Sequence, residues 1–179
     1  MVTIDLITGF LGSGKTTFLK KYAEYLMDQG LHIGILENDF GAINVDMLML
    51  HELRGDQCEL EMIAGGCDAE SHRRRFRTKL ISMRMCGYDR VLVEPSGIYD
   101  VDEFFDVLRE DPLDQWYEIG NVIAILDARL ENNLSQQADY LLASEAANAG
   151  KVILSHADAA TREQCEDTVA HLNRALEQK

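Results

Sequence analysis

The chain has 179 residues, 17 basic and 31 acidic, for a formal net charge of −14. A hydrophobic fraction of 46% with only 2 prolines excludes a disordered or collagen-like chain, and the length suits one domain with a real core. The acidic excess argues against a nucleic-acid partner, and no apolar run approaches the ~20 residues of a membrane span. The first ten residues lack a charged leader region and run straight into a motif, so no signal peptide is expected. Cys58, Cys67, Cys86 and Cys165 are scattered and make no disulfide framework, which fits reduced thiols in a cytoplasm.

In chain order, residues 2–8 form an apolar, β-branched run that reads as a strand ending in glycines. From 15 to 29, Phe18, Leu19, Tyr22, Tyr25 and Leu26 recur at three- and four-residue spacing, the mark of a helix that Gly30 stops. Residues 32–37 read as a second strand, 59–63 as a short third, and 69–85 as a helix. A strand at 90–94, a helix at about 101–110 and a strand at 121–127 follow. A helix near 135–149, a strand at 151–155 and a helix at 161–176 complete the series. Strands alternating with helices predict an α/β fold, a mostly parallel sheet with helices on both faces. No repeat or linker divides it, so 1–179 is expected to be a single domain.

Gly9-Phe10-Leu11-Gly12-Ser13-Gly14-Lys15-Thr16 matches the phosphate-loop pattern GxxxxGK[ST], between a strand and a helix as that motif requires. Gly9, Gly12 and Gly14 let the loop curl so that backbone N–H groups, including that of Ser13, face a phosphate. Lys15 would bridge the β- and γ-phosphates, Thr16 would ligate Mg²⁺, and Thr17 sits where it can reach an α-phosphate. The chain reads as a P-loop NTPase that binds a nucleoside triphosphate.

Glu94 ends the RVLVE strand and precedes Pro95-Ser96-Gly97. A carboxylate there can hold Mg²⁺ or its water, and Gly97 can bring a backbone N–H to the γ-phosphate. Asp39, in the loop after the second strand, serves either the metal and the attacking water or a plain Asx turn.

Four segments occur in order: GFLGSGKTT, then ENDFG with NVD (37–41 and 44–46), then GGC (65–67), then EPSG (94–97). With this set the chain resembles the GTPase domain of the CobW-type GTPases, a group similar to the urease- and hydrogenase-maturation GTPases, over residues 4 to about 158. The resemblance implies a Mg²⁺-dependent, slow GTPase acting as a metallochaperone for a metalloprotein client or in cobalamin-related maturation. Zinc, cobalt or nickel would be the candidate cargo, and a homodimer is one way to complete the site. It also implies a further C-terminal domain, which residues 1–179 do not contain.

Three departures stand out. The family's CxCC appears as Cys67-Asp68-Ala69-Glu70, leaving one thiol. One thiolate with oxygen ligands is a harder, weaker set than three, although Cys67, Asp68, Glu70 and His72, with Asp39, could still make a mixed site. The alternative is an acid-rich loop and helix start with one buried Cys. The family's NEFGE appears as Asn38-Asp39-Phe40-Gly41-Ala42, without the second acid. The guanine-reading NKxD appears as Ser155-His156-Ala157-Asp158. Asp158 can still accept from guanine, His156 can stack on the base in place of the Lys stem, and Ser155 takes the Asn position.

Residues 71–90 hold seven cations (Arg73, Arg74, Arg75, Arg77, Lys79, Arg84, Arg90) and one acid, leaving 10 basic and 30 acidic residues elsewhere. An arginine from this run reaching the phosphates, a patch docking an acidic partner, and a solvated helix face over a Phe76, Leu80, Met83 stripe are the three readings. His32, His51 and His171 read as core or surface histidines, and Trp116 and Tyr117 as a loop with a satellite core or a partner contact. A small-molecule kinase or a non-catalytic ATP/GTP switch built on the same loop is the alternative function.

Overall fold

Each strand of the sheet divides its apolar side chains between two helix layers. The computed structural model describes residues 1–10, 12–39, 45–64, 68–95, 101–131 and 133–179. In chain order the elements are β1 (Val2–Gly9), α1 (Lys15–Asp28), β2 (Ile33–Asp39), α2 (Val45–Leu50), β3 (Cys58–Ala64), α3 (Ala69–Met85) and β4 (Arg90–Pro95). There follow α4 (Val101–Leu108), α5 (Leu113–Trp116), β5 (Tyr117–Asp127), α6 (Gln136–Ala147), β6 (Lys151–Ser155) and α7 (Arg162–Glu177). The sheet is six-stranded, in the order β3-β2-β4-β1-β5-β6, with every pair parallel.

Period-two alternation sorts the strand residues. Ile4 and Leu6 of β1 and Val91 and Val93 of β4 join Phe76, Leu80 and Met83 of α3 and Phe104 of α4 in one core. Their neighbours Ile7 and Leu92 join Leu19, Ala23 and Leu26 of α1 in the opposite core. A third cluster seats Leu142 and Ala146 of α6 and Leu172 of α7 on Ala124 and Leu126 of β5. Burying each large side chain contributes about 1.5–3 kcal/mol, so Leu80→Ala, at a fully buried site, should cost about 2–5 kcal/mol.

Local signals set the helix ends. The N–H of Gly30 returns to Met27 O at 2.8 Å and that of Leu31 to Leu26 O at 3.3 Å, closing the last turn of α1. Asp68 accepts from Ser71 N at 2.8 Å to cap α3, and Thr161 and Gln164 form a capping box on α7.

Two expectations need correction. Tyr117 is a strand residue of the main core, with Trp116 ending α5 and packed against the same cluster, so neither lies in a loop over a satellite core. The fifth strand starts at Tyr117, four residues before 121, because 117–119 pair with Val2, Thr3 and Ile4. Residues 118–121 are exposed, which hides that stretch from any burial-based pattern. The helices α2 and α5 also escaped periodicity, being 6 and 4 residues long. Among the described residues, no helix is long and apolar enough to cross a membrane.

Candidate functional site

Parallel strands bring their carboxyl ends to one edge, where ligands of open α/β sheets bind. Here that edge collects Gly9 from β1, Glu94 from β4, Asp127 from β5 and Ser155 from β6. The turn out of β1 demands glycine first of all at Gly9, where a Cβ would collide with the Ile125 carbonyl. Gly14, at φ +88°, is the N-cap of α1 and caps it with no side chain, so the first N–H groups of the helix are left for an anion.

Lys15 is buried, and its ammonium donates to the Gly9 carbonyl at 2.9 Å and the Phe10 carbonyl at 3.3 Å. Among the described residues the loop thus holds a desolvated cation with backbone oxygens, an arrangement that a phosphate oxygen would improve. The Ser13 hydroxyl is buried with no hydrogen-bond partner among the described residues. An orphaned donor in this loop fits a phosphate ligand.

Thr16 Oγ1 donates to Glu94 Oε1 at 2.9 Å, and both side chains are buried. Two oxygens bound side by side on an octahedral Mg²⁺ at ~2.1 Å lie about 3.0 Å apart. This hard-oxygen pair therefore has both the chemistry and the spacing for that ion. Thr17 is exposed on the first turn of α1. The backbone of Asp39 pairs with Ala64 at the end of β2; its side chain, Gly97 and Cys67 lie outside the described residues.

Three members of the site escaped the sequence reading: Glu145, and Asp127 and Arg129 on the base side. Glu145 of α6 is buried and accepts from the Gly9 N–H at 3.2 Å, tying α6 to the start of the loop. Its only signal was an acid in the apolar run LLASEAA.

On the base side, Ser155 Oγ donates to Leu126 O at 3.3 Å and is turned into the sheet edge. His156 takes a left-handed backbone, φ 52°, which places its Nδ1 3.1 Å from Asp127 Oδ2. Arg129 forks onto the same carboxylate, Nε to Oδ1 and Nη2 to Oδ2, both at 3.2 Å. Burial alone would raise the Asp127 pKa, but the hydrogen bonds and charge of Arg129, with His156, hold it below the usual carboxylate value. A Cβ on Gly14 would lie 3.6 Å from Ser155 Cβ and 3.8 Å from His156 Cε1, so this loop abuts the phosphate loop. Asp158 is exposed within the turn closed by Ala159 N to His156 O at 3.0 Å.

The mixed metal site built on Cys67 is not assembled by the members the structure describes. Asp68 is spent on the α3 cap, Glu70 pairs with Arg74 at 3.2 Å, and buried His72 sits with Nδ1 3.0 Å from Glu103 Oε1. Among the described residues no three His, Cys, Asp or Glu side chains come together as metal ligands. An arginine of the basic run reaching the phosphates is not seen in Arg73, Arg77 or Arg90. Arg73 and Arg77 clamp Glu110 at 2.6 and 3.0 Å, and Arg90 bonds Asp5 at 2.9 Å. Phe76, Leu80 and Met83 form the expected buried stripe.

Comparison with known proteins gives a consistent answer. The CobW/HypB/UreG nucleotide-binding domain family matches residues 3–179. The zinc chaperone YjiA of Escherichia coli K12 is 28% identical over 186 residues, covering 96% of this chain and 55% of its own length. The zinc chaperone YeiR of the same organism is 28% identical over 164 residues, covering 91% and 49%. The chain thus spans about half the length of these curated relatives. Among solved structures, the signal recognition particle receptor FtsY from Elizabethkingia anophelis superposes with TM-score 0.65 at 18% identity, covering 96% of this chain and 56% of that one. The hydrogenase maturation factor HypB from Archaeoglobus fulgidus gives 0.56 at 15% identity, covering 97% and 78%. Both are likenesses of fold.

Proposed function

Because the chain belongs to the CobW/HypB/UreG nucleotide-binding domain family, we propose that residues 1–179 form one unit that binds GTP with Mg²⁺ and hydrolyses it slowly. The cycle is coupled to metal handling for a metalloprotein client. The observation that carries this reading is the buried Thr16–Glu94 oxygen pair, 2.9 Å apart beside Lys15.

Phosphoryl transfer needs positioning and charge stabilisation more than covalent chemistry. Thr16 and Glu94 would hold Mg²⁺, which when bound neutralises charge between the β- and γ-phosphates. Lys15 exchanges two carbonyl oxygens for phosphate oxygens, and the Ser13 hydroxyl, without a partner among the described residues, gains one. The uncapped start of α1 supports the same charge. Asp39 and Gly97 are proposed for the attacking water and the γ-phosphate. Arg129 and Asp127 steady the His156 ring as a platform for the base, with Asp158 accepting from guanine N1–H and N2–H. Two relatives are named zinc chaperones, which supports zinc as the cargo, with Cys67 as the proposed thiolate ligand.

Calorimetric titration with GTP and with ATP, each with Mg²⁺, tests the base reading. GTP should bind at least tenfold more tightly, a gap of ~1.4 kcal/mol; equal affinity would overturn it. Phosphate release without an acceptor separates hydrolysis from a kinase or a pure switch. Zn²⁺, Co²⁺ and Ni²⁺ titrated into the nucleotide-loaded protein and its Cys67→Ser variant test the cargo, and equal zinc affinity in the two would remove Cys67.

A further inference from the structure

Gly9, the last residue of β1, is held from two sides. Its carbonyl accepts from the Lys15 ammonium at 2.9 Å, and its N–H donates to Glu145 Oε2 of α6 at 3.2 Å. Its backbone, at φ +139°, is one that glycine alone adopts readily. Glu145 is buried on the face of α6 that also carries Leu142, Ala143 and Ala146. A carboxylate is costly among such neighbours, and packing alone would favour an apolar residue there. Beyond α6 the chain enters β6 and reaches Ser155 and His156, which lie against Gly14 at the far end of the loop. One helix–strand unit thus touches the phosphate loop at both of its ends.

We propose that Glu145 is a positioning residue for nucleotide binding, holding the Gly9 N–H, and through it the entry of the loop, in the shape that receives the phosphates. This rests on the nucleotide reading above. A loop that turns on Gly9, Gly12 and Gly14, all at positive φ, has little preference of its own for one shape. Each contact that fixes it beforehand lowers the ordering cost of binding. Lys15 does not supply that fixing in the bound state, because it leaves the Gly9 carbonyl for phosphate oxygens. The Glu145 bond makes no such exchange, since it engages the N–H of Gly9 from the side of α6. It continues to hold Gly9 while ligand is bound.

The competing role is a structural pin that fastens α6 to the end of β1 and does nothing for the ligand. The two roles differ in what they ask of the side chain. Positioning needs an acceptor of this reach, charged or not, so Gln serves and Asp, shorter by one methylene, does not. A pin would instead let stability follow the substitution while the affinity of the folded protein stays constant.

The test compares Glu145→Gln, Glu145→Asp and Glu145→Leu in the full chain. Hydrogen exchange at the Gly9 amide, read without nucleotide, should speed up about tenfold or more in Asp and Leu and stay within about threefold in Gln. Affinities for GTP and for ATP, each with Mg²⁺, should both fall about tenfold in Asp and Leu and recover to within about threefold in Gln. In steady-state hydrolysis the loss should appear in KM, with kcat within about threefold, because Glu145 acts on the loop and not on the transferred phosphate. Thermal unfolding gives the folded fraction to which each affinity is referred, and if Leu does not fold the Gln–Asp pair decides. Unchanged affinity in the folded Asp and Leu variants, with only Tm lowered, would reduce Glu145 to a pin and overturn the proposal. Affinity kept by Asp and lost by Gln would make the charge, not the Gly9 bond, the working feature, and would overturn it too. A wild-type chain that binds neither nucleotide would overturn the nucleotide reading itself. The Gly9 amide, read without ligand, tells that failure apart from the loss of the Glu145 contact.

Discussion

Two buried polar clusters lie along β1, one in its amino-terminal half at Asp5 and one at its carboxyl end by Gly9, about 13 Å on at ~3.3 Å per residue, and they are built on opposite rules. At the amino end Asp5 is fully buried and accepts from Tyr22 OH at 2.7 Å, Arg90 Nη1 at 2.9 Å and Asn121 N at 2.6 Å. Tyr22 OH in turn accepts from Arg90 and Asn121 at 3.0 and 2.9 Å. At the carboxyl end Lys15 leans on backbone carbonyls, and the buried Ser13 and Thr8 hydroxyls lack partners among the described residues. A satisfied network stabilises the fold; donors left over in a buried loop cost stability until a ligand takes them. The contrast separates a structural polar core from a binding one.

Substitution can break that contrast. The largest effect is expected for Asp5→Ala, which strands three donors, the partly exposed Arg90 among them: a loss of about 3 kcal/mol in urea unfolding, with unchanged nucleotide affinity in the folded fraction. Lys15→Ala should do the reverse. Nucleotide binding should weaken about 100-fold, ~2.7 kcal/mol, while stability without nucleotide changes by less than about 1 kcal/mol. If both substitutions moved both quantities, the division would fail. Gly120→Ala sharpens the amino-end cluster, because its Cβ would collide with the Asp5 carboxylate and stand 2.6 Å from Thr3 Cγ2. A cost of about 2 kcal/mol by thermal unfolding is expected. Thr16→Val should lower Mg²⁺-dependent GTP affinity about tenfold, ~1.4 kcal/mol, while leaving Mg²⁺-free binding nearly intact.

The smallest effect is alkaline. Burial first, and the Glu59 charge second, push the Cys58 thiol up to about 11 from an ordinary value near 9. A proton held longer in the folded state stabilises below pH 9 and ceases to do so as pH rises through the folded value. Burial raises Tyr22, Tyr88 and Tyr117 with the same sign, acting above pH 10. Unfolding free energy should therefore fall as pH rises beyond 9, and Cys58→Ala should flatten the slope between 9 and 11. An unchanged slope would remove Cys58 from that account.

Much of the fold is legible in the sequence itself. The helix Ala69–Met85 and the strand Lys151–Ser155 have the bounds that periodicity assigns them. The phosphate loop declares its chemistry because all its members are consecutive and its glycines have one physical reason to be there. The parallel sheet follows from alternating strands and helices, which leave no short route for antiparallel pairing.

The tertiary structure alone decided what depends on contact between distant residues. It placed Glu145 on the Gly9 N–H and Thr16 on Glu94, and it gathered Asp127, Arg129 and His156 at one sheet edge. It also divided the cations of α3 between Glu110 and a groove beside β3, and it turned the His72 ring to Glu103. Periodicity reports only that a face is buried. Which partner a buried or exposed charge meets depends on strand order and register, and these form only when the whole sheet does.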